Sequence, residues 1–305
     1  MRRLALVLLL PAIVASCRRP PEMRSPAPAA TGAPSTDLYL YRFARLGGAS
    51  SISNLSNRRG YDNQPAWDGN TRILYTTQLP GQTDIYEIDF ESANIRQVTT
   101  TPESEYSAAP SPDGDSFTVV RVEADSTQRL WRFPNEGGAP SVLLPDIKPV
   151  GYFAWLDMSR LALFVLGNPS TLQIADVRTG RARIAAQNIG RSLQRVPGGN
   201  NASFLHREGT EWVLKTIDPT PRADSTFTIR RVAVMPDSAD YVAWRSPTEV
   251  YTAAGSRILR LRLPETRWTV VDDLSERGIR RISRIAVSPD GSRLALVADE
   301  PLPNP

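Results

Sequence analysis

Five short segments, most of them alternating apolar with polar residues, recur along the chain: Ile85-Tyr86-Glu87-Ile88, Leu130-Trp131-Arg132-Phe133, Leu172-Gln173-Ile174-Ala175, Trp212-Val213-Leu214-Lys215 and Ile258-Leu259-Arg260-Leu261. A period of two puts successive side chains on opposite faces, so these read as half-buried β-strands. Each follows a more continuously apolar run, such as Ile73-Leu74-Tyr75, Phe117-Thr118-Val119-Val120 or Leu161-Ala162-Leu163-Phe164. Each is also followed by a weaker apolar stretch: Gln97-Val98-Thr99, Val142-Leu143-Leu144, Ile184-Ala185-Ala186, Ile229-Arg230-Arg231-Val232 and Thr269-Val270-Val271.

The pattern is a repeat. Gln64-Pro65-Ala66-Trp67-Asp68-Gly69 is answered by Ala109-Pro110-Ser111-Pro112-Asp113-Gly114, Phe153-Ala154-Trp155-Leu156-Asp157, Val242-Ala243-Trp244-Arg245-Ser246-Pro247 and Ala286-Val287-Ser288-Pro289-Asp290-Gly291, with a degenerate copy around Val196. Aligning Trp67, Ser111, Trp155, Val196, Trp244 and Ser288 gives steps of 44, 44, 41, 48 and 44 residues. That period holds four short strands and their turns. In Pro112-Asp113-Gly114 and Pro289-Asp290-Gly291, proline presets φ, aspartate bonds the backbone, and glycine accepts a left-handed position; each is a tight hairpin between a first and a second strand. The last copy, Ile282 to Ala298, has only a first and a second strand, whereas Leu38-Tyr39-Leu40-Tyr41-Arg42-Phe43 and Ser51-Ile52-Ser53-Asn54-Leu55 read as a third and a fourth. The two ends complete one blade. The expected fold is therefore all-β, a single six-bladed β-propeller of four-stranded antiparallel blades, closed by pairing terminal strands so that no sheet edge stays open.

The residues Pro, Ala or Ser, Trp or Ser, then Pro-Asp-Gly and an apolar strand, resemble the WD40-like PD40 repeat of TolB-type propellers, over essentially all of residues 37–301. The resemblance implies a six-bladed propeller exported to the cell envelope. The small α/β domain that precedes the propeller in that family has no counterpart before Asp37. The paired His and Trp-Asp signature of a eukaryotic WD40 ring is absent from the chain.

The N-terminus changes the picture. Arg2 and Arg3 precede an apolar run from Leu4 to Val14, broken only by Pro11 and too short to span a ~30 Å hydrocarbon core. This is the pattern of an export signal. It ends in Val14-Ala15-Ser16-Cys17, which looks like a bacterial lipobox, with Cys17 as the lipidated residue and the sole cysteine. Residues 1–16 are accordingly read as signal peptide and 17–36, with five prolines, as the lipidated cysteine and a semi-extended tether. The propeller follows at 37–301 and a tail at 302–305. The expected location is the bacterial envelope, on the periplasmic side of the outer membrane or at the cell surface. Removing Arg2 and Arg3 leaves 34 basic against 32 acidic residues, a net +2 that does not favour a nucleic-acid partner.

Catalytic chemistry is sparse. His206 is the single histidine and falls in a predicted second strand, and no Gly-x-Ser-x-Gly elbow accompanies any serine. No catalytic residue, metal ligand set or cofactor is expected. The loops entering each first strand crowd one mouth of a propeller channel, and here they offer Tyr61, Asp62, Asn63, Glu103, Glu105, Tyr106, Tyr152, Arg191, Asp240, Tyr241, Arg280 and Arg281. Tyrosines with sorted charges suit a protein- or peptide-binding face. The leading expectation is a monomeric, membrane-anchored, non-catalytic scaffold. One alternative is a lactonase- or cyclase-like enzyme with a carboxylate-bound metal in the channel; a second is a carbohydrate or small-ligand sensor.

Overall fold

The structure is a computed structural model that describes residues 35–44 and 48–299. Cys17, the export signal, the tether and the C-terminal tail lie outside the described residues. Among those described, no helix is long and apolar enough to cross a membrane.

The chain opens with β1 (Thr36–Arg42) and β2 (Ser51–Asn54). Blade 1 follows as β3 (Asp62–Asp68), β4 (Arg72–Leu79), β5 (Gln82–Asp89) and β6 (Asn94–Gln97). Blade 2 is β7 (Ser104–Pro110), β8 (Ser116–Val122), β9 (Gln128–Pro134) and β10 (Ser141–Leu143). Blade 3 is β11 (Val150–Trp155), β12 (Arg160–Val165), β13 (Thr171–Asp176) and β14 (Arg181–Gln187). Blade 4 is β15 (Ile189–Arg195), β16 (Ala202–Glu208), β17 (Glu211–Asp218) and β18 (Thr228–Val234). Blade 5 is β19 (Val242–Ser246), β20 (Glu249–Ala254), β21 (Arg257–Arg262) and β22 (Thr269–Asp273). The last strands, β23 (Ile282–Val287) and β24 (Arg293–Asp299), join β1 and β2 in a sheet of order β2-β1-β24-β23, which is blade 6. The expected six blades and their closure are therefore present. Ladder pairing runs from Thr36↔Asp299 to Arg42↔Arg293, and β1 carries Leu38 and Leu40 wholly buried.

Local chemistry explains the turns. At the Pro-Asp-Gly hairpins, Gly114 (φ +80°) and Gly291 (φ +69°) take the left-handed position that costs glycine nothing. Asp113 Oδ1 accepts from the Asp115 amide at 2.9 Å, and Asp290 Oδ1 from the Ser292 amide at 3.0 Å. Tryptophans at the repeat position staple neighbouring blades. Trp67 Nε1 donates to the Ala286 carbonyl of blade 6, Trp155 Nε1 to Thr118 Oγ1 of blade 2, and Trp244 Nε1 to Ser203 Oγ of blade 4. Three fourth strands end short of expectation: β2 at Asn54 rather than Leu55, β10 at Leu143 rather than Leu144, and β6 at Gln97 rather than Thr99. Thr99 turns its hydroxyl to the Ile85 amide at 2.9 Å, so a side chain takes the place of the ladder there.

First strands line the channel, and they are irregular where it matters. Pairing shifts between Asn63 and Ala66 in β3, Tyr106 and Ala109 in β7, Val150 and Tyr152 in β11, Ile189 and Leu193 in β15, and Ile282 and Arg284 in β23. An inserted residue breaks the in–out alternation and re-aims the side chains beyond it. Four of these shifts sit where the chain enters the strand and that of β7 at mid-strand, while in β19 the shift falls at the far end, between Trp244 and Ser246.

Candidate functional site: the channel mouth

The first strands and the residues leading into them deliver one large polar side chain from each blade to a single layer: Tyr61, Tyr106, Tyr152, Arg191, Tyr241 and Arg284, from blades 1 to 6 in order. Blade 6 faces blade 3 across the ring, so Arg284 spans the channel when its Nη2 donates to Tyr152 Oη at 3.0 Å. Its Cζ lies 4.1 Å from the Tyr241 ring centroid and 5.1 Å from that of Tyr152. Tyr152 in turn packs edge-on to Phe164 at 5.8 Å.

This layer is the shared wall of three cavities. One of about 500 Å³ runs down the channel, bounded by Tyr152, Arg191, Tyr241 and Arg284 above and by Trp67, Trp155 and Trp244 among its walls. A second, of about 340 Å³, opens beside Tyr61, Tyr106, Tyr152 and Arg191. A third, of about 330 Å³, lies between blades 5 and 6 and reaches Tyr241 and Arg284 from Asp240, Arg280 and Arg281.

The electrostatics follow from burial and from the two guanidinium groups. Burial pushes the Tyr61 phenol up to about 12 and moves Tyr241 the same way. Tyr152 is buried too, yet Arg284 and Arg191 beside it outweigh that and hold its phenol below the ordinary value. The layer is thus a cationic spot walled by phenols.

The other residues expected at the mouth are placed differently. Asp62, Asn63 and Glu105 are buried and held inside the wall rather than presented to the channel. Asp62 Oδ1 receives Arg58 Nε and Nη2 at 3.1 and 2.8 Å, and Asn63 Oδ1 caps the Gln64 amide at 2.8 Å. Glu103 is paired with Arg121. Arg281 is paired with Asp299 at 2.9 Å beside the third cavity, where Asp240 and Arg280 are exposed. The residue that sequence reasoning passed over is Arg284, and the first strand of the last repeat copy hid it among Ile282, Ile285 and Val287.

His206 stands on β16, as its strand position implied, with Nδ1 2.9 Å from Lys215 Nζ. Burial and Lys215 hold its imidazole below the ordinary value. Among the described residues no group of three or more His, Cys, Asp and Glu side chains is arranged to hold a metal ion.

Glu105 supplies a measurable signature of the wall. It is wholly buried, receives the Thr101 hydroxyl, and lies 3.3 Å from Arg121 Nε. Burial dominates and pushes its carboxyl up to about 7, with nearby Asp84 adding to the shift. A raised acid binds its proton more tightly folded than unfolded, so its stability contribution is full below about pH 4.5 and lost as pH rises through about 7. The expected result for Glu105→Gln is a stability gain over the native chain that grows by about 3 kcal/mol across that window. Paired denaturant titrations at pH 4.5, 6 and 8 check it; a difference that stays flat would contradict it.

These features define a closed six-bladed propeller whose channel is crossed by an arginine and ringed by tyrosines. No protein-family model matches the chain, and no curated protein matches it. Solved structures do. A putative TolB from Agrobacterium tumefaciens superposes with a TM-score of 0.67 at 14% identity, covering 89% of this chain and 100% of that one. TolB from Acinetobacter baumannii gives 0.57 at 13%, covering 87% of this chain and 64% of its own. A gluconolactonase from Xanthomonas campestris gives 0.62 at 10%, covering 90% and 98%. At such identities the likeness is one of fold, and the fold is the TolB-like propeller that the repeat predicted.

Proposed function

We propose that this protein is an exported, lipid-anchored envelope propeller that binds a protein or peptide partner at its channel mouth and performs no chemistry on it. The observation that carries the reading is the layer of four tyrosines and two arginines, one from each blade. Tyr152, Tyr241 and both arginines border an open cavity of about 500 Å³, and Tyr61 and Tyr106 border one of about 340 Å³ beside it. Tyrosine and arginine are the residues that concentrate binding energy in interfaces, because they bury large area with few rotatable bonds or offer several fixed donors. The reading is also supported by the shared fold with TolB structures. An enzyme with a metal on the channel axis would need converging carboxylate or amide oxygens, whereas this layer carries phenols and guanidinium groups. Gln64 in the cavity wall turns its amide oxygen to Thr76 and the Ser107 amide. Lipid attachment at Cys17 rests on the four residues Val14 to Cys17 and on the Pro-rich stretch behind them.

Two experiments test the two halves. Growth with an alkyne-bearing fatty acid labels the native chain and leaves Cys17→Ala unlabelled; label on that variant removes the anchor. Capture from detergent-solubilised envelopes enriches a protein on the native propeller that is lost with the double variant Tyr61→Ala, Tyr241→Ala. Equal recovery on both would remove the mouth as the binding face.

A further inference from the structure

The two arginines of the layer are set apart by what they lack. Nineteen ion pairs join guanidinium, ammonium or imidazole groups to carboxylates among the described residues, and neither Arg284 nor Arg191 takes part in one. Arg191 is exposed to the channel, whereas Arg284 is recessed and differs from other recessed arginines of this propeller, such as Arg58 and Arg121, which are each matched to an acid. A guanidinium removed from water without an anion is costly, and it stays in place where a ligand brings the anion.

Geometry agrees. The rings of Tyr241 and Tyr152 lie against the Arg284 guanidinium, and among the described residues its one hydrogen bond is to Tyr152. Of five fixed N–H donors, the others remain for an acceptor. Held against the two rings with N–H donors to spare, a guanidinium suits a planar two-oxygen group. Arg191 borders the same 500 Å³ cavity, whose further wall includes the rings of Trp67, Trp155 and Trp244. A cavity of that size takes a small organic group. Its cationic top and aromatic walls fit a carboxylate carried on an apolar body.

We infer that Arg284 and Arg191 form a carboxylate-binding site inside the channel. The carboxylate belongs to an acidic side chain or free C-terminus of a bound peptide, or to a small organic acid. The inference deepens the proposed partner-binding role by naming the group that enters the channel.

Titration with 3-phenylpropionate and with its neutral amide tests the site, read by the fluorescence of the cavity tryptophans in the full chain at low salt. The acid is expected to bind at least about tenfold tighter than the amide. Arg284→Gln is expected to erase that preference without lowering the melting temperature, since it removes a desolvated charge along with one hydrogen bond, and Arg191→Gln to reduce it. A parallel titration uses octapeptide pools with a fixed central Glu or Gln. Glu pools that bind while phenylpropionate does not assign the carboxylate to a peptide. Phenylpropionate that binds while both pools fail keeps the carboxylate site and removes the peptide-scaffold reading. Equal binding of acid and amide, no binding of any probe, or native behaviour of both arginine variants overturns the site.

Discussion

A chain that lacks β1 is expected not to hold a folded propeller. β1 supplies the third strand of blade 6, and removing it strips one of the two ladders of β24 along its whole length, leaving only that to β23. Four of its side chains, Leu38, Tyr39, Leu40 and Tyr41, are at most 5% exposed. Burying a large apolar side chain stabilises by roughly 1.5–3 kcal/mol, so four together contribute about 6–12 kcal/mol. That is the size of a whole domain's stability. The freed β24 is also an apolar edge, with Leu294, Leu296 and Val297 wholly buried in the closed ring, and such edges aggregate. A chain beginning at residue 44 should be recovered as aggregate, and a chain beginning at residue 35 as a monomeric folded species by size-exclusion and circular dichroism. A cooperative melt from the shorter chain would show that closure through blade 6 is dispensable.

The second large effect is expected at Arg58. Its side chain lies in the connection between β2 and β3 and is 4% exposed, against 0% for its partner Asp62. Besides Asp62, it donates to the carbonyls of Arg59 at 3.1 Å, Gln78 at 3.2 Å and Tyr61 at 3.3 Å. Thr77 also bonds Asp62. One guanidinium therefore ties the blade 6 to blade 1 junction to β4 and fixes the backbone that presents Tyr61. Burial already pushes the Asp62 carboxyl up against the pull of Arg58. Arg58→Ala would leave that acid buried without a counter-charge, a loss of about 3–5 kcal/mol, or on the order of 10 °C in melting temperature for a domain of this size. Adding Asp62→Asn removes the stranded charge and should restore part of the loss. A single variant that melts with the native protein would contradict the assignment.

The fold was legible because its determinants are local and repeated. Pro-Asp-Gly turns mark hairpins through backbone chemistry, and Trp67, Trp155 and Trp244 recur because each staples a blade to its neighbour. Fourth strands were read less sharply, since the outer edge of a blade buries little and a hydroxyl such as that of Thr99 ends the ladder early. The site was half legible. Its tyrosines were found by asking which loops meet at one mouth, but the acids beside them serve the wall. Arg284 was missed for a physical reason. The channel-facing residue stands at different offsets from the repeat position, and the pairing shifts of the first strands fall at different places along them. Tyr61 stands six residues before Trp67 and Tyr106 five before Ser111, while Tyr152 and Tyr241 stand three before Trp155 and Trp244, and Arg284 four before Ser288. No single column of the repeat collects them, so only the folded ring brings them together.

Site-specific photo-crosslinking in native envelopes tests the central claim most directly. A benzophenone amino acid replaces Tyr106 at the mouth in one chain, and in another it replaces Ile184, an exposed apolar residue on the outermost strand of blade 3. The account predicts a discrete adduct from position 106, weakened by Arg284→Gln, and none from position 184. Adducts from position 184 alone, or equally from both, would contradict a partner held at the channel mouth.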